Sequence, residues 1–265
     1  MKLPKIDVIG VPVTALLLED QIATMIAWAK ERSSRVVCVA NVHMLMEAYW
    51  DDSFHSILRE ADIVAPDGMP LVWVMRLVGR RYQDRTAGMD IFLAACGKAV
   101  KENVGIYLLG CTEEVLESMR YRLQEDFPGL KLAGAESLPF RPLTEGEDAE
   151  LIERVNASQA GLTFIALGCP KQEIWMASHK NKIQSVMLGV GGVFPVYAGT
   201  QKRAPLWVRE SGLEWLYRLV QEPRRLWSRY QKTIPPFIWL AIWQLLRRPS
   251  PQRSHNSWRS FWHKV

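Results

Sequence analysis

Short apolar runs recur along the first two hundred residues, and most lack the alternation of apolar and polar positions that marks a strand with one solvated face. The runs cover residues 36–39, 63–65, 104–109, 162–167 and 186–190. Strands that are buried on both faces have this pattern. Helical i, i+3, i+4 spacing lies between them, at Ile22, Met25, Ile26 and Ala29 and again at Leu116, Met119 and Leu123. This alternation predicts an α/β fold with a mostly parallel sheet and helices on both faces.

The composition fits a soluble globular fold and excludes several other classes. With 265 residues, 48% hydrophobic and 23% charged, the chain is neither a disordered protein nor a fibre nor a small disulfide scaffold. The longest uncharged apolar stretch, 234–246, is shorter than the roughly 20 residues of a membrane-spanning helix. The N-terminal apolar residues are interrupted by Pro4, Lys5 and Asp7, unlike a secretory signal. We therefore expect a cytoplasmic protein.

Metal-binding patterns are absent from the sequence. The four cysteines are scattered without a Cys-x-x-Cys pair, which predicts reduced thiols, and the five histidines have no metal-like spacing. No protein-held metal is expected.

Positive charge and tryptophan are concentrated at the C-terminal end. Residues 201–265 hold 13 Lys and Arg against three acidic residues, and seven of the 11 tryptophans. Basic residues interleaved with tryptophan suit an anionic membrane surface. Nucleic acid is the alternative partner, but phosphate binding does not require the apolar segment that begins at Phe237. A buried C-terminal helix or a contact with a second copy of the chain is the structural alternative.

Glycine turns follow several of the predicted strands. Gly110, Gly168 and Gly191 lie where a parallel sheet binds its ligands, beyond the carboxyl ends of the strands. The turns could receive a nucleotide diphosphate, or they could serve only tight packing. Neither a Gly-x-Gly-x-x-Gly fingerprint nor a Walker loop is present.

Polar residues at the same edge are candidates for catalysis and binding. Asp67 follows a short apolar run and could be a general base or a helix cap. Asn41 could bind a sugar hydroxyl or cap a helix, and Arg85 could bind phosphate or form a surface salt bridge. Gln172, at the start of a predicted helix, could face the same cleft or ordinary solvent.

Several motifs in order together resemble the WecG/TagA/CpsF glycosyltransferases (glycosyltransferase family 26), over about residues 5–248. They are Pro66-Asp67-Gly68, Arg85-Thr86-Ala87-Gly88, Gly168-Cys169-Pro170-Lys171-Gln172-Glu173, Gly189-Val190-Gly191-Gly192-Val193-Phe194, Arg203-Ala204-Pro205-Leu206-Trp207 and Gly212-Leu213-Glu214-Trp215-Leu216-Tyr217-Arg218-Leu219. The resemblance implies a Rossmann-like catalytic domain over 1–200 and a helical, membrane-associating appendage over 201–248. We expect a flexible tail over 249–265.

The resemblance also implies a reaction and its partners. A hexose or N-acetylhexosamine, with N-acetylmannosamine as the first candidate, would pass with inversion from a UDP-sugar to a polyprenyl-diphosphate-linked sugar. Cell-surface polysaccharides are built from such products. The enzyme would lie peripherally on the inner face of the cell membrane, without nucleic acid, and apolar surface near the appendage would serve either lipid or a second copy of the chain.

Roles for individual residues follow from the same resemblance. Asp67 would be the general base, with Asn41 and Arg85 on the acceptor side of the cleft. The donor would contact Gly110, Gly168, Gln172, Gly191, Arg218 and Arg225. The two arginines would stabilise the leaving diphosphate in place of a metal, and the chain contains no Asp-x-Asp motif for a metal-held nucleotide. No cofactor is implied.

Three positions depart from the family pattern. Val39 replaces a common threonine, Pro195 replaces a common acid, and Ser228 replaces an arginine. These changes bear on which sugars are accepted. Two other functions remain open from the sequence: a dinucleotide-dependent oxidoreductase, and a membrane-tethered nucleotide-binding protein without activity.

Overall fold

The computed structural model describes residues 3–79, 82–139 and 141–247, and these ranges contain eight strands. In chain order the strands are β1 (Lys5–Val8), β2 (Val11–Thr14), β3 (Arg35–Ala40), β4 (Ile63–Pro66), β5 (Ile106–Gly110), β6 (Leu132–Glu136), β7 (Leu162–Ala166) and β8 (Val186–Gly189). Six of them form one parallel sheet in the order β4-β3-β8-β7-β5-β6. β1 and β2 form a separate antiparallel hairpin.

Twelve helices connect and follow the strands in the described ranges. They are α1 (Leu18–Lys30), α2 (Val42–Trp50), α3 (Asp52–Glu60), α4 (Met69–Leu77), α5 (Gly88–Glu102), α6 (Glu113–Asp126), α7 (Glu145–Ala157), α8 (Lys171–His179), α9 (Val193–Tyr197), α10 (Leu206–Glu210), α11 (Glu214–Gln221) and α12 (Pro223–Arg247). None of these helices is both long enough and apolar enough to cross a membrane.

The sheet is buried on both faces, as the apolar runs predict. On β3, Cys38 and Ala40 join a core cluster with α2, α3, α4, α7, α8 and α12, whereas Val37 and Val39 join a second cluster with α1, α5, α6 and α9. Successive strand residues point to opposite faces. The prediction of a parallel α/β sheet with helices on both sides is confirmed, and each predicted strand lies within about two residues of its observed position.

The edge strand β6 and the hairpin are not predicted by the apolar pattern. β6 reads Leu-Ala-Gly-Ala-Glu, and small residues give it little apolar signal. Its Gly134 lies under the ring of Tyr107, because a Cβ on this glycine would collide with the ring carbons. An aromatic ring over a strand glycine stabilises an edge that lacks its own side chain.

The last helix, α12, packs on the body along α2. Thr233, Phe237 and Ala241 are buried on one side of it, and Gln244 bonds to the hairpin through the backbone of Asp7 and Ile9. The helix continues through Pro235 and Pro236, whose missing N–H groups remove two hydrogen bonds within it. The proposed division of the chain near residue 200 stays a prediction, and the expected flexible tail over 249–265 lies outside the described residues.

Candidate active site

Asp67 lies directly after β4, at the carboxyl edge of the sheet, as the sequence predicts. Its N–H donates a 2.8 Å hydrogen bond to the carbonyl of Ala40, the last residue of β3. The following Gly68 precedes α4, and a Cβ on it would lie 3.7 Å from the Cα of Asn41. The ends of the two neighbouring strands therefore bring Asp67 and Asn41 together.

Asn41 caps α2, which is one of its two expected roles. Its side-chain oxygen accepts a 3.2 Å hydrogen bond from the N–H of Met44. Such a cap satisfies a helix N–H that has no partner within the helix. The cap also holds the Asn41 side chain at the same edge as Asp67, and binding of an acceptor sugar by Asn41 stays a prediction.

The Asp67 carboxyl is in an unusual electrostatic environment. Its pKa is raised from 3.8 to about 6, mainly by burial and next by the nearby charge of Glu214, with a smaller contribution from Asp90. Arg218 and Arg85 lower it. Mixed charges around a partly buried carboxyl at a sheet edge are typical of catalytic acids and bases. A carboxyl with a pKa near 6 is mostly ionised at pH 7 and can accept a proton.

The C-terminal helices supply some of these charges. Arg85, which precedes α5, pairs with Glu214 at the start of α11 at a distance of 2.7 Å between Nη1 and Oε2. The other oxygen of Glu214 lies 3.5 Å from Nη2 of Arg218. The pair formed by Arg85 is mostly shielded from solvent, with side-chain exposures of 14% and 24%. A surface salt bridge was the alternative expectation for Arg85, but a shielded pair beside Asp67 is found instead.

Gln172 connects two of the predicted glycine turns. Its Oε1 accepts hydrogen bonds of 3.2 Å from the N–H of Gly168 and from the N–H of Gly191. The side chain is 5% exposed, so the expectation of an ordinary solvated residue is wrong. Nη1 of Arg218 would lie 3.8 Å from a Cβ on Gly192, which places this guanidinium beside the second turn.

Gly110 and Arg225, the two remaining donor candidates, contact residues other than Asp67. Gly110 ends β5 with φ of +97°, and a Cβ there would lie 2.7 Å from the carbonyl oxygen of Ala166 on β7. Glycine is required at this position by backbone strain and by close packing. Arg225 pairs with Glu222, which also accepts a hydrogen bond from Gln201. Donor contacts of both residues stay predictions.

The three departures from the family pattern occupy different environments. Val39 is buried, and a Cβ on Gly88 would contact its Cγ1 at 3.6 Å. Pro195 lies in α9, where its carbonyl accepts hydrogen bonds from Thr200 and Gln201. Ser228 is exposed on α12.

Two acidic residues near Asp67 are missing from the candidates chosen on sequence. Glu214 lies in a quoted motif, and a signal was available, because it is one of only three acids in the basic last quarter of the chain. Asp90, in the first turn of α5, pairs with Arg203 at 2.6 Å. Within the ranges described, no three His, Cys, Asp or Glu side chains converge as metal ligands.

Comparison with known proteins identifies the family. The profile of the glycosyl transferase WecG/TagA/CpsF family matches residues 6–251. A similar protein from Bacillus spizizenii is 32% identical over 203 residues, which cover 76% of each chain. Similar proteins from Bacillus subtilis and Staphylococcus aureus are each 28% identical, over 85% and 89% of this chain and 88% and 91% of their own. All three are named N-acetylglucosaminyldiphosphoundecaprenol N-acetyl-beta-D-mannosaminyltransferase.

These relatives disfavour the oxidoreductase and the inactive binding protein. The family profile covers nearly the whole chain, including the motifs around Asp67, Gln172 and Glu214. The protein is therefore a glycosyltransferase, and it belongs to the WecG/TagA/CpsF family.

Proposed function

We propose that this enzyme transfers an N-acetylhexosamine, N-acetylmannosamine in the first instance, from a UDP-sugar to a polyprenyl-diphosphate-linked N-acetylglucosamine with inversion at the anomeric carbon. The names of the three relatives support this acceptor and this sugar. The observation that carries the proposal is the Asp67 carboxyl at the sheet edge, with a pKa of about 6 and with Arg85 and Arg218 nearby.

Asp67 is the general base of the proposed reaction. Its carboxylate takes the proton of the acceptor hydroxyl while the hydroxyl oxygen bonds to the anomeric carbon. The bond from that carbon to the UDP oxygen breaks in the same step, and UDP leaves with the electron pair. Attack from the side opposite UDP inverts the centre. Loss of a general base typically lowers turnover by about 10²- to 10⁴-fold.

Arg218 is the residue best placed to stabilise the leaving diphosphate. Its guanidinium lies beside the turn at Gly192 and lowers the pKa of Asp67. The side chain is therefore near both the proposed donor site and the proposed base. A cation at the developing negative charge lowers the barrier, because the charge is larger in the transition state than in the bound donor. Arg225 is a second candidate for this role on α12.

We further propose that the C-terminal half of α12 binds the inner face of the cell membrane. Its side away from the body exposes the large apolar residues Ile238, Trp239, Ile242 and Leu246. The N-terminal half of the helix also carries Arg224, Arg229 and Lys232, which suit anionic headgroups. Membrane binding would bring the active site to its lipid-linked acceptor.

The transfer is tested with a panel of UDP-sugars and a polyprenyl-diphosphate-linked N-acetylglucosamine. We expect one UDP-N-acetylhexosamine to give a disaccharide whose new linkage is inverted relative to the donor. Asp67→Asn, which keeps the shape of the side chain, should lose at least about 10²-fold in turnover. Absence of product with every sugar nucleotide, or full activity of the Asn variant, would contradict the proposal.

A further inference from the structure

Glu173 is a fully buried carboxyl in the first turn of α8, next to the candidate donor residue Gln172. Its Oε1 accepts a 2.7 Å hydrogen bond from Nε2 of Gln172, and its Oε2 has no hydrogen-bond partner in the part of the chain described. Burial raises the pKa of Glu173 to about 7, although the Gln172 amide, the N–H of Glu173 and the Cys169 thiol lower it. Burial of such a group is unfavourable, so the residue requires an explanation beyond packing.

The neighbouring amide of Gln172 has a single favourable orientation. The N–H groups of Gly168 and Gly191 can only donate hydrogen bonds, so Oε1 of Gln172 must face them and Nε2 must face Glu173. Oε1 then points the other way, toward the N–H groups of Gly168 and Gly191, each 3.2 Å away. If the amide turned over, its NH₂ group would face two further donors and its oxygen would face Glu173. The two hydrogen bonds from the glycines would be lost, and the ionised form of Glu173 would also lose its bond from Gln172.

The backbone of Gly189 and Gly191 packs so closely on the Gln172 amide that neither position has room for a side chain. A Cβ on Gly189 would lie 2.9 Å from Nε2 of Gln172, and a Cβ on Gly191 would lie 2.8 Å from Oε1. The turns after β7 and β8 therefore close directly on the amide. Gly192, the next residue, lies beside Arg218.

We propose that Glu173 is a positioning residue for the transfer reaction: its carboxyl group orients the Gln172 amide, which holds the turns at Gly168 and Gly191 at the spacing that receives the donor diphosphate. Contact of the turns with the donor rests on the proposed function. The orientation of the amide and the closure of the turns on it do not.

The test compares Glu173→Leu with Glu173→Gln in the full-length protein. Leucine removes the acceptor, whereas glutamine keeps an oxygen that can accept from Nε2 of Gln172. Hydrogen–deuterium exchange at the N–H groups of Gly168 and Gly191 should accelerate about tenfold in the leucine variant, the effect expected for one lost hydrogen bond. The KM for the UDP-sugar should rise by a similar factor with the KM for the acceptor unchanged. The glutamine variant should restore both values.

Thr163→Val is the matched control. Thr163 is fully buried on β7, the strand that leads to Gly168, and its hydroxyl lies 2.8 Å from that of Ser185, away from Gln172. This variant loses a buried hydrogen bond but should leave exchange at both glycines and the donor KM unchanged. If it loosens the turns as much as Glu173→Leu does, general destabilisation explains the effect and the proposal is overturned.

A double variant tests whether Glu173 acts through Gln172. Gln172→Leu combined with Glu173→Leu should have the same exchange rates and donor KM as Gln172→Leu alone. Additive effects, or unchanged exchange in Glu173→Leu, would overturn the positioning role. Exchange is measured without substrate, so a wild-type protein that is inactive on all UDP-sugars would refute the proposed function and leave the role of Glu173 decided by exchange.

Discussion

The guanidinium of Arg85 and the carboxylate of Glu214 form a 2.7 Å ion pair, although 129 residues separate them in the chain. Arg85 lies in the loop between α4 and α5, and Glu214 lies in the first turn of α11. Both charges act on Asp67, and they act in opposite directions. The pair therefore couples the C-terminal helices to the protonation of the candidate base.

Removal of Glu214 should change the pH dependence of the reaction. In Glu214→Gln the carboxylate that raises the pKa of Asp67 is lost, so the acid limb of kcat/KM should move below its wild-type position near pH 6. In Arg85→Met a cation that lowers this pKa is lost, and the limb should move to higher pH. Each variant should shift the midpoint of the acid limb by about half a pH unit or more, as expected for a charge close to the titrating carboxyl. Rate profiles from pH 5 to pH 8 measure both.

Glu222→Gln is the control for these profiles. Glu222 directly precedes α12 and pairs with Arg225, and it is not among the charges that shift the pKa of Asp67 most. Its acid limb should coincide with that of the wild type. Shifts of Glu214→Gln and Arg85→Met in the same direction would show that Asp67 does not set the acid limb.

Asp67→Asn should stabilise the folded protein at neutral pH while it removes activity. The pKa of Asp67 is about 6 in the folded state against 3.8 ordinarily, so the folded state binds more protons between these values. The wild type therefore loses stability as the pH rises through this window, whereas the asparagine variant does not. We expect the variant to gain on the order of 2 kcal/mol above pH 7 and little near pH 4, as measured by urea unfolding. A gain of equal size at both pH values would contradict the raised pKa.

The sheet could be predicted from sequence because its central strands are apolar on both faces. Residues such as Val37 and Cys38 face different core clusters, so the run carries no alternation. The edge strand β6 escaped prediction because Gly134 is covered by Tyr107, which lies 27 residues away in sequence. The strand β6 is stabilised by a side chain of the neighbouring strand β5, and the local sequence pattern of β6 contains no sign of that contact.

The candidate site divides in the same way. Asp67 and Asn41 follow strands, and strand ends fix their common edge. The pairing of Arg85 with Glu214 depends on how α11 packs, and the bridge made by Gln172 depends on the juxtaposition of two turns from different strands. Such contacts are made between distant segments, so no spacing along the chain predicts them.

Gly191→Ala should weaken donor binding. A Cβ there would lie 2.8 Å from Oε1 of Gln172 and 3.2 Å from the N–H nitrogen of Gly168, so the two turns must separate. The KM for the UDP-sugar should rise at least about tenfold, because hydrogen bonds that hold the turns are lost. Gly146→Ala is the control, since a Cβ there would meet no atom within 4 Å. The same donor KM in both variants would contradict the placement of Gly191 in the donor site.

Replacement of apolar residues on α12 should weaken membrane binding. Trp239 and Leu246 are 67% and 79% exposed on the side of the helix away from the body, so Trp239→Gln with Leu246→Gln should leave the fold intact. Loss of two apolar side chains that insert into lipid should lower affinity for anionic liposomes at least about tenfold. Turnover of a long polyprenyl acceptor should fall as well, whereas turnover of a short-chain, water-soluble acceptor should not. Tyr121→Gln, on α6 with 63% exposure, is the control and should bind liposomes as the wild type does. Wild-type liposome affinity in the double variant would place the membrane contact elsewhere on the protein.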